Sequence, residues 1–332
     1  MAPHDAPNPD PLLTDPFAPD PFPWADPALK ARLRESPLAV VREYGLNLPD
    51  DLPPAVLEDV VRIVSLLWVD GQIVPRERFH IDPADEGLLF GRGVWESTRT
   101  VGGVPWLWPL HVERLLRTAA LLDIDLSRER IPDERRVADF VGQLAGTDVV
   151  VRVNATAGRP GKRGVVWMSA AVRPFPKPTI RLQTCPSAVR PEQAFLVWKT
   201  FQYASRLRIG HRAILAGFDS ALMVDPQDFV LESAHANIFL RLPEGWVTPS
   251  AESGSFLPGT VRQHLLQSSP IPIREAKIPR RILGQVREAF VTNSNVGLVP
   301  IIQIDDHRYE IGEETRRLGE WLLPRSLDTR PG

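Results

Sequence analysis

Residues 198–207 read WKTFQYASRL, and residues 231–240 read LESAHANIFL. Lys199 lies in the first stretch, after the apolar run FLV at 195–197 and before a helical pattern. A lysine in such surroundings is partly desolvated, which lowers its pKa and frees the neutral amine to act as a nucleophile. The first stretch therefore predicts a reactive amine at Lys199.

Glu232, in the second stretch, also has apolar neighbours. Lysine and glutamate are almost never fully buried without a partner. One interpretation is a structural ion pair between Lys199 and Glu232. The other is that each side chain faces a different end of one bound cofactor.

Around these two stretches the hydrophobic pattern alternates between strand-like and helix-like segments. Leu66–Val69 and 72–74 predict a hairpin around a turn at Asp70 and Gly71. Apolar residues at helical spacing predict a helix over 110–122. Further strands are predicted over 149–153, 165–171, 180–184, 221–224, 229–231, 237–240 and 289–292, and further helices over 206–216, 261–267 and 313–322. The pattern as a whole is typical of an α/β protein.

The composition limits the class of protein. The chain has 332 residues, 39 Lys and Arg against 41 Asp and Glu, and a single Cys. This length is sufficient for two domains. The near-neutral charge argues against a nucleic-acid partner, and one Cys excludes a disulfide framework and a Cys-rich metal site. We expect no metal, and we expect a cytoplasmic protein with no membrane partner, because neither a long apolar span nor a signal-peptide pattern is present.

Proline divides the chain into segments. Residues 1–27 contain nine Pro and predict a disordered tail, and residues 28–65 predict a small helical extension. Three Pro within 173–178 predict a linker. This linker separates a small α/β domain at 66–173 from a larger domain at 179–325.

Six blocks, in their order and spacing, resemble the class IV aminotransferase family, which comprises the fold-type IV pyridoxal phosphate (PLP) enzymes. They are GLLFGRGVWESTRT (87–100), HVERLLRTAALLDI (111–124), WKTFQYASRL (198–207), LESAHANIFL (231–240), FLPGTVR (256–262) and EAFVTNSNVGLVPI (288–301). The family includes branched-chain aminotransferases, D-amino acid aminotransferases and aminodeoxychorismate lyases. The resemblance implies a two-domain α/β fold of the α+β kind, with PLP bound by the large domain in the cleft between the two. It also implies a homodimer in which loops of one subunit complete the other's pocket.

The resemblance also implies cofactor-binding roles. Lys199 matches the lysine that forms the Schiff base with PLP and moves the proton during catalysis. Glu232 matches the carboxylate beside the pyridine nitrogen, and Arg114, placed on the polar face of its helix, matches the arginine that holds the phosphate. Tyr203 matches a tyrosine that hydrogen-bonds the phenolic oxygen, although a core aromatic is the alternative. The two phosphate-binding loops correspond to Gly259, Thr260, Val261, Asn293 and Ser294.

Substrate-binding roles follow in the same way. Arg152 resembles the arginine that branched-chain aminotransferases use for a substrate carboxylate, and a structural salt bridge explains it equally well. The other candidate pocket residues are Phe90, Trp95, Arg99 and Asn295; core packing is the alternative for the aromatics, and a turn is the alternative for Asn295. Phe90 replaces a tyrosine of branched-chain enzymes. Ala157 stands where D-amino acid aminotransferases have an arginine, which argues against D-amino acids.

Three functions are compatible with these residues. The first is transamination between an amino acid and a 2-oxo acid, with branched-chain or other hydrophobic L-amino acids as the candidate donors. The second is an aminodeoxychorismate lyase-like reaction that releases pyruvate. The third is a partner- or peptide-binding protein of a biosynthetic pathway with a secondary PLP site. The third function rests on residues 26–52. They resemble the helical segment of leader peptides related to the nitrile hydratase α subunit. The alternative interpretation of these residues is an N-terminal helical ornament.

Overall fold

The computed structural model describes residues 60, 62–63, 65–144, 148–172, 177–187, 198–253 and 256–322. The predicted tail at 1–27, nearly all of the predicted extension at 28–65 and most of the predicted linker at 173–178 lie outside the described residues.

A first sheet is built from strands between residues 66 and 172. They are β1 (Leu66–Val69), β2 (Gln72–Pro75), β3 (Gly93–Val101), β4 (Val104–Pro105), β5 (Val149–Thr156) and β8 (Val166–Val172), with the short pair β6 (Gly158–Arg159) and β7 (Lys162–Arg163) between β5 and β8. Within the described chain they pair antiparallel in the order β2-β1-β8-β5-β3-β4. Asp70 and Gly71 both have positive φ, which the predicted two-residue turn requires.

Three helices accompany this sheet: α1 (Glu86–Phe90), α2 (Trp108–Leu121) and α3 (Glu134–Leu144). The helix predicted over 110–122 is α2. Its residues Val112, Leu115 and Ala119 belong to one buried core with strand residues such as Val151 and Val153. The core anchors α2 against the sheet, and this fixes the direction in which its polar side chains point.

A second sheet is built from residues 180–308. Its strands are β9 (Ile180–Pro186), β10 (Ser220–Val224), β11 (Val230–Ser233), β12 (Asn237–Leu242), β13 (Gly245–Pro249), β14 (Ile273–Ala276), β15 (Glu288–Asn293), β16 (Gly297–Ile304) and β17 (His307–Arg308). In the part of the chain that the structure describes, the order is β11-β10-β9-β16-β15-β12-β13-β14, with β17 beside β16. Parallel pairing occurs between β9 and β10, β9 and β16, and β13 and β14.

The helices that cover this sheet are α4 (Ala204–Leu215), α5 (Thr260–Ser268) and α6 (Glu313–Leu322). Val261 of α5 and Leu318 of α6 pack with Phe239 and Phe290 of the sheet. Short 3-10 turns lie at Arg76–Arg78, Arg128–Arg130, Ala251–Ser253 and Arg280–Gln285. The mixture of sheets and covering helices confirms the predicted α/β fold class.

Among the described residues, no helix combines the length and the apolar character needed to cross a membrane.

Candidate active site

Lys199 lies where the second half of the chain contacts β3 of the first sheet. The backbone N–H of Trp95 donates to the Lys199 carbonyl at 2.9 Å, and the Trp95 indole N–H donates to the Thr200 carbonyl at 2.9 Å. The backbone N–H of Phe201 donates to the Gly93 carbonyl at 2.9 Å. These bonds extend the ladder of β3 by one short bridge, so the position of Lys199 is fixed by main-chain hydrogen bonds.

The amine of Lys199 lies among cations, on a half-buried side chain. Its Nζ lies 3.8 Å from the centre of the Trp95 ring. Burial lowers the pKa of Lys199 to about 7, and repulsion by Arg114, Arg206 and Arg152 acts in the same direction against the attraction of Glu96. A pKa near 7 leaves a large share of the amine neutral at pH 7, which is the form that the predicted nucleophile requires.

Glu232, on β11, is 2% exposed and is held by three donors. Arg206 Nη2 donates to Oε1 at 2.5 Å, the Leu257 N–H donates to the same oxygen at 2.9 Å, and Asn237 Nδ2 donates to Oε2 at 3.2 Å. The structural ion pair considered for Lys199 and Glu232 is thus wrong for the described chain, since Glu232 pairs with Arg206 of α4.

Arg114 is 5% exposed and lies on the buried face of α2. The prediction that it lies on the polar face is wrong. Two of its nitrogens donate to Glu96 of β3, at 2.6 Å and 2.8 Å, and this attraction holds the pKa of Glu96 well below its usual range despite the opposing effect of burial. His111, one turn before Arg114, shares the Glu96 carboxylate at 2.7 Å. The periodicity of apolar residues marks the buried face of a helix only by its apolar side chains. It does not show that a charged residue such as Arg114 is buried on that face with a partner.

The N-terminus of α5 lies beside this network. Arg114 Nη1 donates to the Pro258 carbonyl at 3.1 Å, and His111 Nε2 lies 3.1 Å from Thr260 Oγ1. Gly259 precedes the helix and supplies no side-chain cap, so the first-turn N–H groups of Thr260 and Val261 are available to an anion. A helix N-terminus next to a buried arginine is a suitable phosphate site.

Gly259 is also required for steric reasons. Its N–H donates to Asn237 Oδ1 at 3.1 Å, and a Cβ at this position would lie only 2.0 Å from that oxygen. Asn237 therefore connects Gly259 to Glu232, because its Nδ2 donates to the Glu232 carboxylate.

The second predicted phosphate loop is attached to β3. Ser294 Oγ donates to the Ser97 carbonyl at 2.6 Å, and the Arg99 N–H donates to the Ser294 carbonyl at 3.1 Å. Asn293 Oδ1 accepts the N–H groups of Asn295 and Val296, at 2.9 Å and 3.0 Å. Asn293 thus stabilises the turn after β15, and Asn295 lies within this turn.

Trp95 connects the reactive amine to two other predicted residues. The Arg152 guanidinium carbon lies 3.9 Å from the Trp95 ring centre, and the Tyr203 ring meets the Trp95 ring edge-on at 5.3 Å. Arg152 Nε donates to Asn154 Oδ1 at 2.9 Å, and its side chain reaches solvent. Burial raises the pKa of Tyr203. The Trp95 ring therefore brings Lys199, Arg152 and Tyr203 together.

Two predicted pocket residues are placed differently. Phe90 ends α1 and is 65% exposed, and its carbonyl accepts from Gln202 at 3.4 Å. Arg99 is fully buried, with its guanidinium carbon 4.3 Å from the Trp106 ring centre. Neither contacts the Lys199 amine in the described chain, and their substrate roles stay predictions.

Sequence reasoning missed four side chains that organise this site: Glu96, His111, Arg206 and Asn237. Two signals were available. Glu96 is a lone carboxylate inside a block that also contains apolar residues, and His111 precedes Arg114 by three positions, which places both on one helix face. No local pattern distinguishes Arg206 from the exposed arginines of α4.

The chain is similar to known proteins in sequence and in fold. The model of the family described as amino-transferase class IV matches residues 93–304. A Methanocaldococcus jannaschii protein named as a branched-chain-amino-acid aminotransferase is 27% identical over 273 residues, covering 76% of this chain and 94% of that protein. The aminodeoxychorismate lyase of Bacillus subtilis is 24% identical over 281 residues, covering 76% and 92%. The solved branched-chain aminotransferase of Thermoproteus uzoniensis has a TM-score of 0.68 and 24% identity, covering 77% of this chain and 93% of that one.

Proposed function

The chain belongs to the class IV aminotransferase family, and we propose on that premise that it exchanges an amino group between an amino acid and a 2-oxo acid. The family's cofactor is pyridoxal phosphate. The observation that carries the proposal is the amine of Lys199, whose pKa is lowered to about 7 by its partly desolvated position. A neutral amine is the form that condenses with the cofactor's aldehyde.

The polar groups of the cleft match the polar groups of the cofactor. The uncapped N-terminus of α5 and the nearby Arg114 suit a phosphate dianion. The carboxylate of Glu232 suits a protonated ring nitrogen. When bound, PLP supplies an aldehyde and an aromatic ring that draws electrons from the adjacent carbon.

The side chains of this protein have separable roles in the proposal. Lys199 would hold the cofactor through its amine, and the neutral amine would serve as the base for the proton on the substrate's α-carbon. Glu232 would face the ring nitrogen and would accept a hydrogen bond from it. Glu96 and His111 keep Arg114 and Thr260 in place by the hydrogen bonds described above.

Arg152 supports a substrate that carries a carboxylate. Its guanidinium stacks on Trp95, keeps donors available on the solvent side, and lies in the same cleft as the reactive amine. The aromatic surfaces of Trp95 and Tyr203 favour an apolar side chain, such as that of a branched-chain or hydrophobic L-amino acid. Ala157 packs against the first core and carries no charge, which supports the exclusion of D-amino acids.

The test is a panel of amino donors followed by conversion of the bound cofactor. We expect the wild-type protein with PLP to absorb visible light, to give a borohydride-trapped adduct on Lys199, and to lose its visible band with hydrophobic L-amino acids. Lys199→Ala removes the adduct, whereas Lys177→Ala, at an exposed lysine 2.7 Å from Asp219, leaves it unchanged. If no donor converts the cofactor, the transaminase proposal fails.

A lyase is the second candidate, because an aminodeoxychorismate lyase is among the relatives that cover most of the chain. The same preparation distinguishes the two reactions. A lyase releases pyruvate from aminodeoxychorismate without a 2-oxo acid acceptor, whereas a transaminase stops after one half-reaction per site until an acceptor is added.

We also propose a homodimer with a two-domain subunit. Leu88, Leu89 and Phe90 of α1 are 62%, 56% and 65% exposed, and a second copy would cover them. The division into domains at 66–173 and 179–325 follows the two sheets. Light scattering tests the dimer: we expect twice the 37.1 kDa chain mass, and Leu89→Arg lowers the mass to that of one chain.

A further inference from the structure

Arg206 is a buried cation behind the carboxylate assigned to the cofactor. It lies in the first turn of α4, is 5% exposed, and donates from Nη2 to Glu232 Oε1 at 2.5 Å. Burial alone would lower the pKa of Arg206, but the attraction of Glu232 outweighs burial and raises it. Arg206 and Glu232 thus form a buried ion pair.

Other polar groups surround the pair. The ring centre of Tyr203 lies 5.8 Å from the Arg206 guanidinium carbon. Its hydroxyl is 3.4 Å from His235 Nδ1, and the pKa of His235 is lowered by burial and by the positive charges of Arg206 and Lys199. The neutral hydrogen bonds to Glu232 come from Asn237 and the Leu257 N–H. Arg206 is thus the cation that pairs directly with Glu232 in the described chain.

We propose that Arg206 is a positioning residue that shares the charge of Glu232 and thereby weakens the hold of the cofactor's ring nitrogen on its proton. A lone carboxylate next to a pyridine nitrogen favours the protonated ring, because opposite charges attract. A carboxylate already neutralised by a guanidinium favours it less. This inference rests on the proposed function, since it needs Glu232 to face the ring nitrogen.

The chemical consequence concerns how strongly the ring draws electrons. A protonated pyridine is a strong electron sink and a neutral one is weaker. Arg206 therefore moderates the stabilisation of negative charge at the carbon next to the cofactor. This property separates its role from that of a merely structural ion pair, which would leave the ring's protonation unchanged.

The experiment uses full-length protein loaded with PLP labelled with ¹⁵N in the ring, and follows the nitrogen chemical shift across the pH range in which the protein stays folded. The variants are Arg206→Met, Arg206→Gln and Arg206→Lys. The control is Arg208→Met, at an exposed arginine of the same helix.

We expect Arg206→Met and Arg206→Gln to raise the pH at which the ring nitrogen loses its proton by about one to three units, the usual effect of one nearby charge. Arg206→Lys restores most of the wild-type behaviour, and Arg208→Met matches the wild type. Identical nitrogen shifts in the wild type and in whichever of Arg206→Met and Arg206→Gln folds would overturn the proposal. A wild-type protein that binds no PLP overturns the proposed function and this inference together, whereas binding with unchanged shifts overturns this inference alone.

Discussion

The amine of Lys199 lies against the face of Trp95, 3.8 Å from the ring centre, while the Trp95 backbone N–H holds the Lys199 carbonyl at 2.9 Å. One residue of the first sheet thus positions both the main chain and the reactive end of a lysine that belongs to the second half of the chain. The Arg152 guanidinium contacts the same ring at 3.9 Å. Because indole attracts cations, Trp95 holds the amine and the candidate carboxylate-binding group against the same ring.

The lowered pKa of Lys199 predicts the pH dependence of cofactor capture. The neutral amine forms as pH rises through about 7, so the rate at which the cofactor-free protein captures PLP rises to that point and then levels off. Stopped-flow absorbance measures the rate. Nα-acetyllysine, measured in parallel, keeps gaining rate toward its ordinary pKa of about 10.4. A protein rate that follows the free amine up to that pH contradicts the prediction.

Replacing Arg114 tests two effects that can be measured separately, on PLP binding and on folding stability. Arg114→Gln removes a charged donor, and we expect the Kd for PLP to rise about 10- to 150-fold, the equivalent of about 1.5–3 kcal/mol for a hydrogen bond to a charged group. It also leaves Glu96 buried without its main cation, which costs about 3–5 kcal/mol of folding stability. Fluorescence titration gives the Kd and urea unfolding gives the stability.

Arg117→Gln is the matched control for Arg114, because Arg117 lies on the exposed face of the same helix. It leaves both quantities near their wild-type values. Arg114→Lys keeps a charge beside Glu96 and so limits the loss of stability. If Arg114→Lys and Arg114→Gln bind PLP as tightly as the wild type, Arg114 does not hold the phosphate.

The sequence predicted the elements whose apolar residues repeat regularly. Helix α6 has the predicted ends, and α2, α4 and α5 differ from their predictions by a few residues. Strand β3 was not predicted, because Glu96 to Thr100 are polar and yet buried, so no alternation of apolar and polar residues marks the strand. These side chains find partners in other elements, which a local pattern does not show. Helix α3, with Val137, Phe140, Val141 and Leu144 at helical spacing, was predictable and was missed.

The candidate site shows the same division. The sequence predicts Lys199 and Glu232 as site residues because each is a charged residue among apolar neighbours. The ion pair between Arg206 and Glu232 joins α4 to β11, and the Glu96–Arg114 pair joins β3 to α2. Contacts of this kind depend on how two distant segments meet, and the local pattern of one sequence does not show which segments do.

Replacing Arg152 tests the substrate side of the cleft. Within the described chain Arg152 bonds to Asn154 and stacks on Trp95, so its remaining donors suit a substrate carboxylate. We expect Arg152→Gln to raise KM for the amino donor about 10- to 150-fold, which corresponds to the loss of one charged hydrogen bond, with a smaller change in kcat. Steady-state kinetics give both constants. Arg163→Gln, at an exposed arginine of β7, is the control, and an unchanged KM for Arg152→Gln assigns Arg152 a structural role.

Replacing Gly259 tests whether the start of α5 needs a residue without a Cβ. In Gly259→Ala the new Cβ meets Asn237 Oδ1 at 2.0 Å, so the loop or the asparagine has to move, and Asn237 also bonds to Glu232 and to the Leu257 carbonyl. We expect a loss of about 1–3 kcal/mol in stability, the usual cost of overpacking, together with weaker PLP binding. Urea unfolding and PLP titration measure the two effects.

Gly142→Ala provides the matched control for Gly259→Ala. Gly142 lies in α3, and a Cβ there meets nothing within 4 Å. Alanine is the better helix former, so this variant gains about 0.5–1 kcal/mol of stability and binds PLP as the wild type does. If Gly→Ala lowers the stability at position 259 and raises it at position 142, the loss at Gly259 comes from the close contact with Asn237. If Gly259→Ala is also neutral or stabilising and binds PLP normally, the start of α5 tolerates a side chain and its assignment as the phosphate cradle loses its steric support.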